Sequence, residues 1–355
     1  MKAIHIDRYV KTYSELRVTE VPSPIPKRDQ VLVNITHTAL NHVDLLYARG
    51  VHQNNHIGLV KPPFVLGLEF AGVVASAPEN SRFKPGDQVW GGSVGGFAEQ
   101  IAVPPSALQR LPTGWTLHDV AGLGAGTAPV SYGALVRIAE VKPGQIVLVH
   151  AAAGGLGVVA VQIAHALGAK VIGTVGSEAK AEVVRKLGTL GVVRYDQEGW
   201  EKEVLKLTNN VGVDSVYDTV GLVEKSIRCL KFGGNIVIAG FAGLGGKMET
   251  LAMNRVLLKG VRLLGYVSAQ IHAAFHLLTA FQRFGETGRR NPKENEEVWR
   301  GMNEMLESGK IKPVIYGTYS GLESVPGALD DLVSRKVWGK VVVEIQPRPP
   351  TEAKL

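Results

Sequence analysis

Residues 146–157 read IVLVHAAAGGLG, an apolar strand-forming run followed by a turn of small side chains. An apolar helix, VVAVQIAHALGAK, comes next and is closed by Gly168; a second apolar run, VIGTVG, ends at Gly176. Strand, turn, helix and strand make a β-α-β unit. In the turn, Ala152, Gly154 and Gly157 fill the three small-residue positions of G-x-G-x-x-G, with alanine in the first. Missing side chains let the backbone turn sharply, approach a pyrophosphate and press the helix onto the sheet. The helix N-terminus adds free N–H groups and partial positive charge. Gly154, Gly155, Leu156 and Gly157 are therefore the expected phosphate contacts of a dinucleotide.

The end of the second strand selects the dinucleotide. An NAD site places Asp or Glu there, about 20 residues on, to accept from the ribose hydroxyls. This chain has Gly176-Ser177 with Lys180 behind it. With no carboxylate at that position to repel a 2′-phosphate, and a hydroxyl and an ammonium to bind one, NADPH is the expected cofactor. Tyr195, closing the next strand (VVRY), is placed to cover the adenine or to hydrogen-bond the phosphate.

Working outward, 355 residues exceed one ordinary core, so two domains are expected. Hydrophobic residues make up 45% and charged residues 20%, the balance of a globular protein in water, and no run is apolar enough to span a membrane. Net charge is +7, but 39 basic residues are interspersed with 32 acidic ones and no aromatic-basic motif appears, which argues against nucleic acid as a partner. Cys229 is the one cysteine, which excludes an intramolecular disulfide and a cysteine-rich zinc site. MKAIHIDRY opens as a strand, with neither a signal region nor a presequence, so a cytoplasmic location is expected. Ala353-Lys354-Leu355 is a near match to the Ser-Lys-Leu address and keeps a peroxisomal location open.

Residues 1 to about 125 alternate short apolar runs with Gly and Pro, the pattern of a β-rich domain, interrupted by a short helix from Asn41 to Arg49-Gly50. From Leu117 the pattern turns helical, with a long helix expected over PVSYGALVRIAEV. Beyond the β-α-β unit, VVRYD, DSVYDTVG, NIVIAG and RLLGYV are four more strands separated by helical stretches, the alternation of a parallel, doubly wound sheet. Ligands sit at strand ends in such sheets, making Asp218 to Gly221 and Gly240-Phe241 further candidates; Asp218 reads equally as a structural cap. A helical stretch, AQIHAAFHLLTAFQRF, leads into the charged segment 285–299, which reads as an exposed insertion, and the C-terminal VVVEI strand returns to the first domain. Gly91 to Gly95 matches G-x-S-x-G, but a strand follows where a nucleophile elbow needs a helix.

Several motifs together resemble the medium-chain dehydrogenase/reductase superfamily, and within it the zinc-free, zeta-crystallin-like quinone oxidoreductase branch. They are Asn41-x-x-Asp44 with Arg49-Gly50, LGLEFAGVV (66–74), KPGDQV (84–89), GGFAEQ (95–100), AAAGGLG (151–157) and VIGTVGSEAK (171–180). The resemblance implies a GroES-like catalytic domain (1–127 and 268–355), a Rossmann domain (128–267), cofactor and substrate between them, and a homodimer. It places Asn41 and Thr127 near the nicotinamide ribose or ring, Gly154 to Gly157 at the pyrophosphate, and Ser177, Lys180 and Tyr195 at the 2′-phosphate. Relatives often carry a tyrosine where this chain has Leu46; the nearest hydroxyl is Tyr47, which with Asn41 makes the catalytic candidates.

Zinc-dependent relatives need cysteine at the position of Asn41 and histidine at that of Leu68, and neither is present. No metal is expected. Without one, alkoxide charge on an unactivated ketone goes unsupported, whereas hydride delivered to a quinone or an enone leaves a delocalised phenolate or enolate. The expected activity is NADPH-dependent reduction of quinones or conjugated enones. An enoyl reductase of fatty-acyl or polyketide intermediates is the alternative enzyme, and an NADPH-binding crystallin-like or RNA-binding protein the alternative of another class.

Overall fold

The run VLVNITHTA buries Val31, Val33 and Ile35 and leaves the residues between them half-buried, the period of two that a strand with one face on a core requires. The computed structural model describes residues 1–52, 60–245, 247, 249–266 and 292–345. Its first stretch holds β1 (Lys2–Ile6), β2 (Val18–Glu20), β3 (Val31–Ala39), α1 (His42–Arg49), β4 (Phe64–Val65), β5 (Glu69–Ser76), β6 (Gln88–Gly92), β7 (Gln100–Val103), β8 (Leu108–Arg110) and α2 (Leu117–Leu123). The second holds α3 (Ala128–Tyr132), β9 (Ile146–Val149), α4 (Gly155–Ala166), β10 (Lys170–Val175), α5 (Glu178–Lys186), β11 (Gly191–Arg194) and α6 (Trp200–Leu207). It continues with β12 (Val213–Asp218), α7 (Val223–Cys229), β13 (Leu230–Ile238), α8 (Met253–Lys259), β14 (Arg262–Gly265) and α9 (Pro292–Glu307). The chain returns through β15 (Ile315–Ser320), α10 (Val325–Val333) and β16 (Lys340–Glu344).

These elements divide into two units. Unit 1 takes the chain up to Gly126 and the return from Ile315. Its larger sheet runs β15-β16-β3-β5-β6-β8, with β7 also paired to β3; a smaller sheet runs β2-β1-β4. The return strand is structural: β16 pairs antiparallel with β3 through Val342 opposite Ala39 and Val343 opposite Thr38, which seats Lys340 at the start of that strand. Side chains from both ends of the chain share one core, Val31, Val33, Phe70 and Val89 with Val325, Leu329 and Val341.

Unit 2 takes Thr127 to Tyr266 and the described residues from α9 to Val314. Its sheet has the order β11-β10-β9-β12-β13-β14, every pairing parallel. Buried on both faces, β9 (IVLV) and β10 (KVIGTV) are near-continuous apolar runs, as central parallel strands under helices must be.

Two expectations are corrected. The helix after Pro129 is not one long α-helix: α3 passes at Gly133 into a π-helical turn, Gly133–Ile138. The charged segment is not an exposed insertion over its described part, and residues 292–314 belong with unit 2 rather than with the C-terminal return. α9 buries Val298, Trp299, Met302 and Leu306, one helical face, and the Arg137–Glu297 pair at 2.8 Å ties it to the π-helical turn. The helical reading of AQIHAAFHLLTAFQRF, residues 285–291 and the C-terminal tripeptide lie outside the described residues. If α9 is core, Met302→Ala lowers unfolding free energy in urea by about 2–5 kcal/mol; a loss under about 0.5 kcal/mol, the surface range, would return the segment to the status of an insertion.

Candidate functional site

In unit 2 the sheet grows in one direction from β9 through β10 to β11 and in the other through β12 to β14. The loops leaving β9 and β12 diverge at this switch point, where sheets of this kind carry their ligand. The loop after β9 turns at Ala151, whose φ of 48° is unusual for a residue with a side chain, and the Ala152 N–H donates to the Thr174 carbonyl at 2.9 Å. A Cβ on Gly157 would lie 2.2 Å from the Ala151 carbonyl oxygen, so only glycine lets α4 pack this closely on the turn. Gly154 caps α4 without any side-chain hydrogen bond, leaving the opening N–H groups of a twelve-residue helix uncapped by a side chain. Ser131 on α3 donates to the Leu156 carbonyl at 3.0 Å and bonds the Tyr217 hydroxyl at 3.1 Å, which fixes that N-terminus against β12.

Ser177, Lys180 and Tyr195 are brought together at the ends of β10 and β11. The Ser177 hydroxyl caps α5 by accepting the Lys180 N–H, and the Tyr195 hydroxyl lies 3.2 Å from where a Cβ on Gly176 would stand. Glu178 and Asp196, the carboxylates adjacent to this cluster in sequence, bond Arg185 at 2.6 Å and Arg194 at 2.7 Å. These residues fit a dinucleotide: a helix start uncapped by any side chain, and small residues where backbone must approach.

Thr127, nearly buried, stands at the N-cap of α3. Gly240 and Phe241 follow β13, with Phe241 exposed. Asp218 is a cap: its carboxylate accepts the N–H groups of Val220, Gly221 and Leu222 at 2.7–3.0 Å. The sequence reading missed His150, wholly buried at the end of β9, which bonds the Thr174 and Ser226 hydroxyls at 2.8 and 2.7 Å. Burial holds its imidazole below the usual range, against the pull of Asp218.

In unit 1 the N-terminus of α1 meets β5 and β16. Lys340 Nζ bonds Glu69 Oε2 at 2.6 Å and Asn41 Oδ1 at 2.8 Å, and Asn41 Nδ2 donates to the same Glu69 oxygen at 3.0 Å. Glu69 Oε1 accepts the Gly126 N–H at 2.7 Å. The side chains of Lys340 and Glu69 are each 3% exposed. Asn41 is therefore held by both ends of its amide. Asp44, wholly buried, accepts the Asn41 N–H at 2.7 Å, one half of a capping box. Burial pushes its carboxyl up to about 8; the Asn41 N–H and Lys340 act the other way, and Glu69 adds to the rise.

Tyr47, one turn along, packs into the core of unit 1 and against the His52 ring, with centroids 5.0 Å apart. Burial, then Asp44, raise its phenol above the usual range; burial, then His42, lower His52 to about 4. Lys340 had no signal in the sequence beyond a lysine before a strand.

Residues 27–113 match the alcohol dehydrogenase GroES-like domain and residues 155–283 the family described as zinc-binding dehydrogenase. Quinone oxidoreductase-like protein 2 of Bos taurus is 31% identical over 92% of this chain and 87% of its own length. The chain belongs to the quinone oxidoreductase branch of the medium-chain dehydrogenase/reductase superfamily. Acryloyl-coenzyme A reductase of Sulfurisphaera tokodaii is 28% identical over 97% of this chain and 100% of its own. The solved Escherichia coli quinone oxidoreductase, complexed with NADPH, is 25% identical with a TM-score of 0.78, covering 97% of this chain and 100% of that one. This member is an oxidoreductase whose residues do not fit the zinc of the second description. Asn41 is engaged by Lys340, Leu68 is a buried alkyl chain, and among the described residues no group of three or more His, Cys, Asp or Glu is set for a metal.

Two outcomes follow from the buried charges. Lys340→Met, which leaves Glu69 without its cation, lowers stability by about 3–5 kcal/mol, and adding Glu69→Gln restores most of it; equal losses in the single and double variants, measured in urea, would contradict the pairing. The folded chain keeps the Asp44 proton to about pH 8, whereas an unfolded aspartate releases it near about pH 4. Between those values the native state binds the extra proton, so stability falls as pH rises, by up to about 1.4 kcal/mol per unit. The stability of Asp44→Asn relative to the unaltered protein therefore climbs across that window and levels off above it; a flat difference would contradict the shift.

Proposed function

We propose that this oxidoreductase uses NADPH to reduce quinones or conjugated enones without a metal. The observation that carries the reading is the amide of Asn41, locked by a buried Lys340 ammonium, where zinc-dependent relatives place a thiolate. A site of this kind lacks the Lewis acid that an isolated ketone needs and suits acceptors whose charge is delocalised after reduction.

When bound, NADPH supplies the hydride. The chain's own part is placement: the α4 N-terminus faces the pyrophosphate, and Ser177, Lys180 and Tyr195 receive the 2′-phosphate, with Glu178 neutralised by Arg185. Asn41 and Thr127 are the residues we assign to the nicotinamide end, and Gly240 and Phe241 to the loop beside it. The NADPH carried by the Escherichia coli relative supports this choice.

A second reading, reduction of an enoyl thioester, is favoured by the acryloyl-coenzyme A reductase relative. It uses the same hydride and the same absence of metal. Homodimerisation belongs to the proposal too: α8 exposes Met253, Leu257 and Leu258, an apolar face of the kind subunit contacts cover.

Fluorescence titration with NADPH and NADH tests the cofactor. NADPH is expected to bind more tightly, and Lys180→Ala to weaken it about 10-fold or more, the loss of one charge-assisted bond, while NADH affinity stays unchanged. Equal weakening of both nucleotides, or none, would overturn the 2′-phosphate assignment. A panel of quinones, enones and enoyl thioesters, followed by NADPH absorbance, separates the two readings.

A further inference from the structure

The strands of unit 2 are parallel, so their starting ends gather together just as their finishing ends do. At the starting ends, the first residues of β12, β13 and β14 and the residues ahead of β9 line a cleft of about 440 Å³. Small-ligand sites run from roughly 300 to 1,000 Å³. β12 is six residues long, which sets this cleft about 20 Å from the strand ends where Asp218 and the glycine turn lie.

Two departures from regular structure border it. The π-helical turn Gly133–Ile138 runs into Ala139 and Glu140, the latter at a φ of 48°. Between Val213 and Ser215 the pairing of β12 with β13 shifts register, and β13 passes there through Gly233 at a φ of 73°. Departures of both kinds are frequent beside functional sites.

The lining side chains divide by what already satisfies them. Lys231 bonds Asp214 at 2.8 Å, and Asp214 also accepts the Ile146 N–H at 2.8 Å, so that pair is neutral within itself. The Lys142 ammonium and the Arg262 guanidinium, both exposed, make no hydrogen bond or ion pair among the described residues. Glu140 is the carboxylate of the lining that is left against those two cations. Phe232, 81% exposed, presents a ring for stacking. Asn235 is 3% exposed; its Nδ2 reaches the Ala139 carbonyl at 3.4 Å, and its Oδ1 has no hydrogen-bond partner. A buried amide oxygen without a donor is costly. Asn235 and Arg262 are partners in the β13–β14 ladder, neighbours on strands about 4.8 Å apart.

We propose that this cleft is a second ligand site, for a nucleoside monophosphate whose base carries an amine. The phosphate takes the Arg262 guanidinium, whose fork matches its oxygens, together with Lys142. The base stacks on Phe232, and its amine donates to Asn235 Oδ1, the pairing asparagine makes with adenine. A bare inorganic anion would leave Phe232 and Asn235 unused, and an uncharged ring would leave both cations unused. Every lining residue belongs to unit 2, and none is shared with the dinucleotide turn.

Equilibrium dialysis of the full-length protein against radiolabelled AMP, with NADPH saturating to keep AMP from the dinucleotide turn, tests the site. One AMP per chain is expected, and ribose 5-phosphate, which lacks the base, is expected to bind about 10-fold more weakly or worse. Arg262→Gln should weaken AMP about 10-fold or more and Phe232→Ala about 5-fold or more. Both side chains are exposed, so neither variant removes core packing. Lys180→Ala, at the other end of the sheet, should leave AMP affinity unchanged.

No AMP binding, affinity unaltered by both Arg262→Gln and Phe232→Ala, or ribose 5-phosphate binding as tightly as AMP overturns the inference. If NADPH itself does not bind, the functional reading fails alone, because the variants still report which end of the sheet holds AMP. AMP weakened by Lys180→Ala and not by Arg262→Gln sinks the second site.

Discussion

An ammonium and a carboxylate 2.6 Å apart, both nearly sealed from water, join parts of unit 1 that are far apart in sequence. Lys340 opens the C-terminal strand, Glu69 opens β5, and both hold Asn41 at the head of α1. The second Glu69 oxygen takes the Gly126 N–H, so the chain leaving α2 is fixed by the same side chain. Buried pairs of this kind contribute little net stability against an apolar replacement but are strongly destabilised when one partner goes. Their consequence here is geometric: they set where Asn41 and the first turn of α1 lie.

That arrangement also decides which chemistry unit 1 can support. A divalent ion would bring a mobile positive charge and a coordination site to the acceptor. The ammonium is instead buried and bound to Glu69 and Asn41. Asp44 then sits beside an ion pair that is already neutral. The phosphate site we propose for unit 2 needs no such device, because it would be made of backbone N–H groups and a short polar cluster at the strand ends.

Unit 2 was largely legible in the sequence because its signals are local. Apolar strand runs, the spacing of Gly154 and Gly157, and the Gly176-Ser177 pair lie within about one β-α-β length of each other, and the alternation of strands and helices gives the parallel sheet, though not its order. The Lys340–Glu69 contact spans 271 residues, and nothing in a lysine ahead of VVVEI says where it folds to. Tyr47 became a candidate by its place in the sequence, but its burial in the core was not visible there. α9 was misread because KENEE dominates its composition; the apolar positions 298, 299, 302 and 306 that bind it to unit 2 are spaced as a helical stripe among charges. Asp218 stayed undecided in sequence because a cap and a ligand contact use the same carboxylate.

The most direct measurement is the rate of NADPH oxidation by the chelator-treated protein with a conjugated enone and with its saturated ketone counterpart. The account predicts that the enone is reduced, that the rate is unchanged by chelation, and that the saturated ketone is turned over far more slowly. Comparable reduction of the saturated ketone, or activity lost on chelation and restored by zinc, would contradict it.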